Sequence, residues 1–292
     1  MIDNPQDSKE LSKKLINIAE NCTSNLTVQQ YVFTRIEEIL GLGIDLSDAD
    51  VEIFGSRHAK LFTSDGVHLI DGPFLRALGS PDSYLQQSAS LGLACLLTMC
   101  EGKTESLISW IITKLNSSSS IALPALSMLS RRSSARKLFV ESGGVNSVIG
   151  YLQKLGTNGN AQTIYELTFI LWTLSLDVQA ESKNLSLFLS AGTIPVLVDL
   201  VSAAPSRKVV RMSLGTLKNL AITESDNALT EMLSGNLLKL LDNLVLTSAY
   251  KQVNDGEFES DVKVLYDTIN KNYRELSSFD RWASQVHTGS LR

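Results

Sequence analysis

The chain is short of the residues that break up or cross-link small folds. Among its 292 residues are only 18 glycines, 6 prolines and 3 cysteines. Glycine and proline together come to about 8%, against roughly 12% in average proteins. That leaves too few turn residues for a many-stranded β fold and favours helices. The three thiols, Cys22, Cys95 and Cys100, lack the spacing of a metal site or a redox pair. Cys95 and Cys100 sit in an apolar run that reads as core, and free buried thiols suit a reducing compartment. An excess of Lys and Arg is missing too: the net charge is −5. Nucleic-acid binding needs clustered cations to displace counterions from phosphates, so the overall balance argues against it. No uncharged apolar run approaches the ~18 residues that span a bilayer, and Leu167 to Leu176 is the longest candidate. No direct membrane insertion is therefore expected. The first residues, Met1-Ile2-Asp3-Asn4, are polar and carry no secretory signal. The Asn-x-Ser/Thr sequons at Asn21, Asn25, Asn116 and Asn184 then read as coincidences of composition, and a cytoplasmic protein is expected.

Catalytic motifs are missing as well. There is no Gly-Lys-Ser/Thr, and Gly41-Leu42-Gly43 lacks both a third glycine and a preceding strand. His58, His68 and His287 lie far apart in sequence, and no two form a His-x-x-x-His pair. The expectation is no catalytic residue, no cofactor, no metal and no enzymatic activity of the chain's own.

What remains is a helical pattern. Hydrophobic residues make up 43% and charged residues 20%, enough for a sizeable core. Val32, Ile36, Ile39 and Leu40 share a helix face that Gly41 should end. Leu93, Leu96, Leu97 and Cys100 repeat the spacing, as do Leu167, Ile170, Leu171 and Leu174, and Leu237, Leu240, Leu241 and Leu244. The helix around Leu171 is apolar nearly all round and must be covered on most sides. The one strand-like stretch is Val51 to Phe54.

A repeat emerges from this layout. Phe139 to Val145 resembles Phe188 to Ile194, with Gly143 matching Gly192. Met232 to Leu237 supplies a third copy around Gly235, and Phe62 to Val67 a weaker one. In each, a helix ends on an apolar residue, glycine takes a left-handed turn and a new apolar helix begins. Pro195 falls in the first turn of such a helix, where its missing N–H costs nothing. A period of ~40–47 residues is the armadillo/HEAT signature. The expected fold is all-α: an armadillo/HEAT-like right-handed superhelical solenoid over residues 1–292, monomeric, with residues 1–14 disordered.

On the segment from Arg207 to Ala221, Val210, Leu214, Leu217 and Ala221 form the buried stripe. Arg207, Arg211 and Lys218 line up on another face, with Lys208 and Asn219 beside them. This strip is the candidate partner-binding site, a basic surface for an acidic partner helix, set against an ordinary solvated face. Asn219 could offer its amide to an extended peptide backbone or merely cap a fraying helix end. Trp172 and Trp282 are expected to pack in cores.

The order of the motifs resembles the H subunit of the vacuolar-type proton-translocating ATPase. The stretches are Tyr165-Glu-Leu-Thr-Phe-Ile-Leu-Trp-Thr-Leu-Ser175, Gly192-Thr-Ile-Pro-Val-Leu197, Lys208-Val-Val-Arg211 and Leu217-Lys-Asn-Leu220. Most specific is Leu276-Ser-Ser-Phe-Asp280 with Ser284-Gln-Val-His-Thr-Gly-Ser-Leu291. Upstream, Thr27 to Leu40 resembles the family's early helix and Phe139 to Val145 its Glu-x-x-Gly-Val junction. Family members begin with a further helical segment and continue past the Gly-x-Leu into a second, smaller helical domain. The resemblance therefore implies the larger N-terminal domain, shortened at both ends. It further implies a non-catalytic regulatory and stator component that binds the peripheral stalk and other pump subunits on the cytosolic face of vacuolar or endomembranes. Such a piece should bind the stalk without silencing the detached catalytic sector. The competing reading is an armadillo-type adaptor or transport receptor for extended peptides. Such receptors repeat Trp and Asn in every unit, whereas here Trp172 and Asn219 fall in different repeats and do not recur.

Overall fold

The computed structural model describes residues 5–42, 58–62, 68–100, 102–203, 206–246, 256–276 and 286–287. Every described element is helical, and no β-strand occurs among the described residues. The strand-like stretch Val51 to Phe54, the weak repeat copy around Gly66 and Trp282 lie outside them. The helices fall into two compact units, Met1–Ser147 and Val148–Arg292.

The first unit opens with α1 (Pro5–Asn21) and α2 (Leu26–Leu40). Residues 5–14, part of the stretch expected to be disordered, lie in α1. The reason is burial: Ser12, Leu15 and Ala19 form a face of α1 that α2 covers. Buried Gln29 donates from Nε2 to the carbonyls of Ala19 and Cys22, each at 3.0 Å, closing the end of α1. Helix α2 starts on Asn25, whose side chain accepts from the Val28 N–H at 3.1 Å. It stops at Gly41, left-handed at φ 73°, where the Gly41 and Leu42 amides return to Glu38 and Glu37. Helix α3 (His68–Leu78) brings Phe74 edge-on to Phe33 at 5.0 Å. Gly92 of α4 (Ser83–Cys100) lies under the same Phe74 ring. Helix α4 is buried on nearly every side by α2, α3, α5 (Glu105–Asn116) and α6 (Leu123–Leu129). Trp110 of α5 donates its indole N–H to the Leu78 carbonyl at 3.1 Å, a polar tip on an otherwise apolar packing residue.

From α7 onward the helices recur as short, medium and long. Helices α7 (Ser133–Glu141), α8 (Gly144–Leu155) and α9 (Ala161–Ser175) have 9, 12 and 15 residues. Helices α10 (Ser182–Ser190), α11 (Thr193–Ala203) and α12 (Arg207–Ala221) have 9, 11 and 15. Helices α13 (Asp226–Ser234), α14 (Leu237–Leu246) and α15 (Gly256–Leu276) have 9, 10 and 21. This is a three-helix repeat of the armadillo kind.

The junction between first and second helices shows what the sequence motif encodes. Two residues link them each time, and the second is left-handed: Gly143 at φ 83°, Gly192 at 69° and Asn236 at 57°. In the third copy the left-handed residue is therefore Asn236, one place after the expected Gly235, which has an ordinary φ of −76°. Asn tolerates this region better than other side-chain-bearing residues, so the motif survives without glycine there. Gly144 has a different task, since a Cβ on it would overlap the ring of buried Phe139. Pro195 does fall in the first turn of α11, among the N–H groups that lack an intrahelical partner.

In the second unit the third helices stack on one another, α9 on α12 and α12 on α15. Leu167, Ile170, Leu171 and Leu174 of α9 and Val210, Leu214, Leu217 and Ala221 of α12 are fully buried, as the spacing required. Helix α15 covers α12 with Phe258, Val262, Leu265 and Ile269. In the first unit α2, α4 and α6 make a similar run of neighbours.

Candidate functional site

Helix α12, which packs between α9 and α15, carries all five residues of the basic strip. Ser206 starts α12 as its N-cap, accepting from the Val209 N–H at 3.3 Å, so Arg207 and Lys208 occupy the first turn. Arg207 and Arg211 are half-buried and Lys208 is exposed. Lys208 reaches over α9, its Nζ 5.6 Å from the centroid of the Tyr165 ring. Such a cation–π contact contributes ~0.5–1 kcal/mol at an exposed site.

The other two members are drawn inward. Lys218 Nζ lies 2.6 Å from Asp261 Oδ1 of α15, with the two side chains 25% and 33% exposed. A partly exposed pair of this kind stabilises by at most ~1 kcal/mol, but it neutralises the cation. Asn219 is buried and donates from Nδ2 to Ser175 Oγ at 2.8 Å, and Ser175 in turn donates to the Trp172 carbonyl at 2.7 Å. Asn219 is thus held in the seam between α9 and α12 by one of its two amide N–H groups. Its bond ties the second repeat to the first. The structure brings Arg207, Lys208 and Arg211 together at one end of α12 and commits Lys218 and Asn219 to internal contacts.

A stripe missed at the level of sequence lies beside them. Tyr165, Phe169 and Trp172 are all half-buried on one face of α9. Their ring centroids are 6.3 Å apart for the first pair and 5.8 Å for the second. Trp172 sits against Gly215 of α12, where a Cβ would come 2.8 Å from the indole Cδ1. The signal for this is Gly215 itself. Glycine in a helix interior costs ~1 kcal/mol relative to alanine, so its presence marks a close approach. Leu176, at the end of the same helix, is 49% exposed.

The first unit bears a polar counterpart. Between α2 and α4, Gln30 donates to Asp82 at 3.2 Å and the Thr34 and Tyr84 hydroxyls meet at 2.8 Å. One turn on, burial pushes the Glu37 carboxyl above its ordinary pKa, opposed by a hydrogen bond from Ser88. Tyr31 and Tyr84 are exposed here. A cleft of about 300 Å³ nearby, lined by Ala19, Leu26, Gln29, Pro73, Arg76 and Ser80 among others, holds none of the candidate residues.

Among the described residues the groups that could do chemistry are dispersed or inert. Burial, reinforced by neighbouring Cys100, pushes the Cys95 thiol up to about 12, so it is no nucleophile at neutral pH. Among the described residues no three His, Cys, Asp or Glu side chains lie close enough to hold a metal ion, and no single helix is long and apolar enough to cross a membrane.

The V-type proton ATPase H subunit of Dictyostelium discoideum is 28% identical over 281 residues, covering 93% of this chain and 59% of that protein. The Drosophila melanogaster V-type proton ATPase H subunit is 26% identical over 300 residues, 98% of this chain and 60% of its own length. A probable V-type proton ATPase H subunit of Oryza sativa subsp. japonica is 24% identical over 317 residues, 98% of this chain and 65% of its own. The chain thus spans about three fifths of the length of these relatives. A family model for the V-ATPase H subunit matches residues 3–269. Carried by a match over that much of its length, the chain belongs to the V-ATPase H-subunit family.

Proposed function

We propose that the chain is a non-catalytic regulatory and stator subunit of a vacuolar-type proton-pumping ATPase. In this reading it binds the peripheral stalk on the cytosolic face of an endomembrane and supports coupled ATP-driven proton transport. The observation that carries it is the family match over residues 3–269. The packing supports the mechanical side. A stator must resist the torque of a rotary motor, so it needs elements that do not shear past one another. In the second unit, the Lys218–Asp261 and Asn219–Ser175 contacts pin α12 to both of its neighbours above a fully buried apolar layer. Close-packed interiors of that kind transmit strain rather than absorb it.

The chain's part in this is to hold, not to react. Its exposed surface near α9 and α12 offers cations and aromatic rings, which suit protein partners. The alternative of a receptor for extended peptides needs side-chain amides free to pair with a peptide backbone. Asn219 is the one candidate amide on this strip, and it is buried with one of its two N–H groups given to Ser175.

The test is reconstitution. Pump complexes stripped of their own H subunit are supplied with the chain, and stalk association is followed together with ATP-driven acidification of vesicles. Association with the stalk and tighter coupling of acidification to ATP hydrolysis are expected. Failure to associate with stalk-containing complexes contradicts the proposal.

A further inference from the structure

We infer that the α9–α12 face, built from Tyr165, Phe169, Trp172, Lys208 and Arg211, is the docking surface for an acidic amphipathic helix. In naming that helix a segment of the peripheral stalk, the inference rests on the functional reading above.

Three observations on the face select this occupant. The first is spacing. Tyr165, Phe169 and Trp172 stand at i, i+4 and i+7, so at 1.5 Å per residue the ridge runs about 10 Å. Two turns of a partner helix present apolar side chains over the same distance, which is how an amphipathic helix is read in a groove. The second is preorganisation. Trp172 is held against Gly215 and Phe169, and Tyr165 is covered on one side by Lys208. Half-buried rings already fixed by their own fold lose little freedom on binding, which is the property of an anchor residue.

The third is charge. The whole chain carries −5, yet the α12 sequence has four cations, Arg207, Lys208, Arg211 and Lys218, and no carboxylate. Of the carboxylates that flank the seam, Asp261 is neutralised by Lys218, whereas Glu166 keeps its charge and accepts from the Gln162 amide at 2.7 Å. Lys208, exposed in the first turn of α12 and set over the Tyr165 ring, gives the aromatic ridge a positive edge on an acidic protein. An approaching helix with an apolar stripe flanked by Asp or Glu matches both parts at once. An extended peptide offers no such paired stripe, and Asn219, the amide that could read its backbone, is buried with one N–H given to Ser175.

The test uses the full chain, Lys208→Glu and Tyr165→Ser. Lys208 is exposed, so its reversal leaves folding intact, which melting curves verify. Each protein is titrated against isolated stalk subunits and against a stapled helical peptide of about three heptads with Leu at a and d and Glu on its flanks. The parent should bind both, and each variant should bind both at least tenfold more weakly. A peptide with Lys in place of Glu should recover affinity for Lys208→Glu and not for the parent. Stalk binding at parental strength by both variants overturns the face and leaves the stalk assignment standing. A parent that binds the acidic peptide but not the stalk subunits supports the face and removes the stalk assignment. A parent that ignores the acidic helical peptide overturns the inference.

Discussion

Trp172 of one third helix lies so close to Gly215 of the next that a methyl group on Gly215 would come 2.8 Å from the indole Cδ1. Alanine is the better helix former by ~1 kcal/mol, but overpacking costs ~1–3 kcal/mol. Gly215→Ala is therefore expected to be neutral to about 2 kcal/mol destabilising, with a shifted tryptophan emission. Trp172→Ala should cost less than the ~3–5 kcal/mol typical of a fully buried aromatic, because the ring is only half-buried. In the double variant the overlap is gone, so the penalties should fail to add by ~1 kcal/mol. Additive losses in urea melts would show that the two residues do not constrain each other.

Asn219→Ala separates a structural amide from a binding one. Removing it leaves Ser175 Oγ in a buried seam without its donor, and such losses cost ~1–3 kcal/mol. Melting should fall accordingly while affinity for stalk subunits stays at the parental value. Unchanged stability with lost binding would return Asn219 to the partner surface.

The repeat junctions allow a test of backbone strain alone. No atom stands within 4 Å of a Cβ built on Gly143 or Gly192, yet both have positive φ. Gly143→Ala and Gly192→Ala should each cost ~1–2 kcal/mol through the left-handed conformation only. Asn236→Gly should gain a fraction of that, since Asn already tolerates φ 57°. Chemical denaturation of the three variants reads all of this directly.

These positions also show what sequence alone could and could not convey. Helices, the buried stripe of α12 and two of the three glycine turns follow from spacing and from the steric rule that keeps L-residues out of positive φ. The motif puts the third turn one residue early because two residues in a row, Gly235 and Asn236, could adopt it, and only the folded chain chooses. The basic strip is legible as a face but not as a set of free cations. Asp261 lies 43 residues from Lys218 and Ser175 lies 44 from Asn219, and pairing at such separations is decided by the stacking of repeats. The aromatic stripe is hidden for a related reason. An apolar helix reads as core all round until its neighbours show which side they leave uncovered.

Glu37 gives a pH test. Burial raises its folded pKa above the ordinary 4.5, so the folded state holds more protons than the unfolded chain just above that value. Its contribution to stability falls as pH rises through this window and remains a penalty at neutral pH. Glu37→Gln keeps a partner for Ser88 and removes the charge, so it should raise the melting temperature at pH 7 and lose that advantage near pH 4. A difference independent of pH would mean that Glu37 is not held in a protonation-sensitive contact.

The central claim is that this chain holds the peripheral stalk, and calorimetric titration with isolated stalk subunits at low and at moderate salt tests it most directly. The account predicts a one-to-one complex that weakens as salt is raised, because exposed cations such as Lys208 are screened over ~8–10 Å at physiological ionic strength. Absence of a complex at low salt would contradict it.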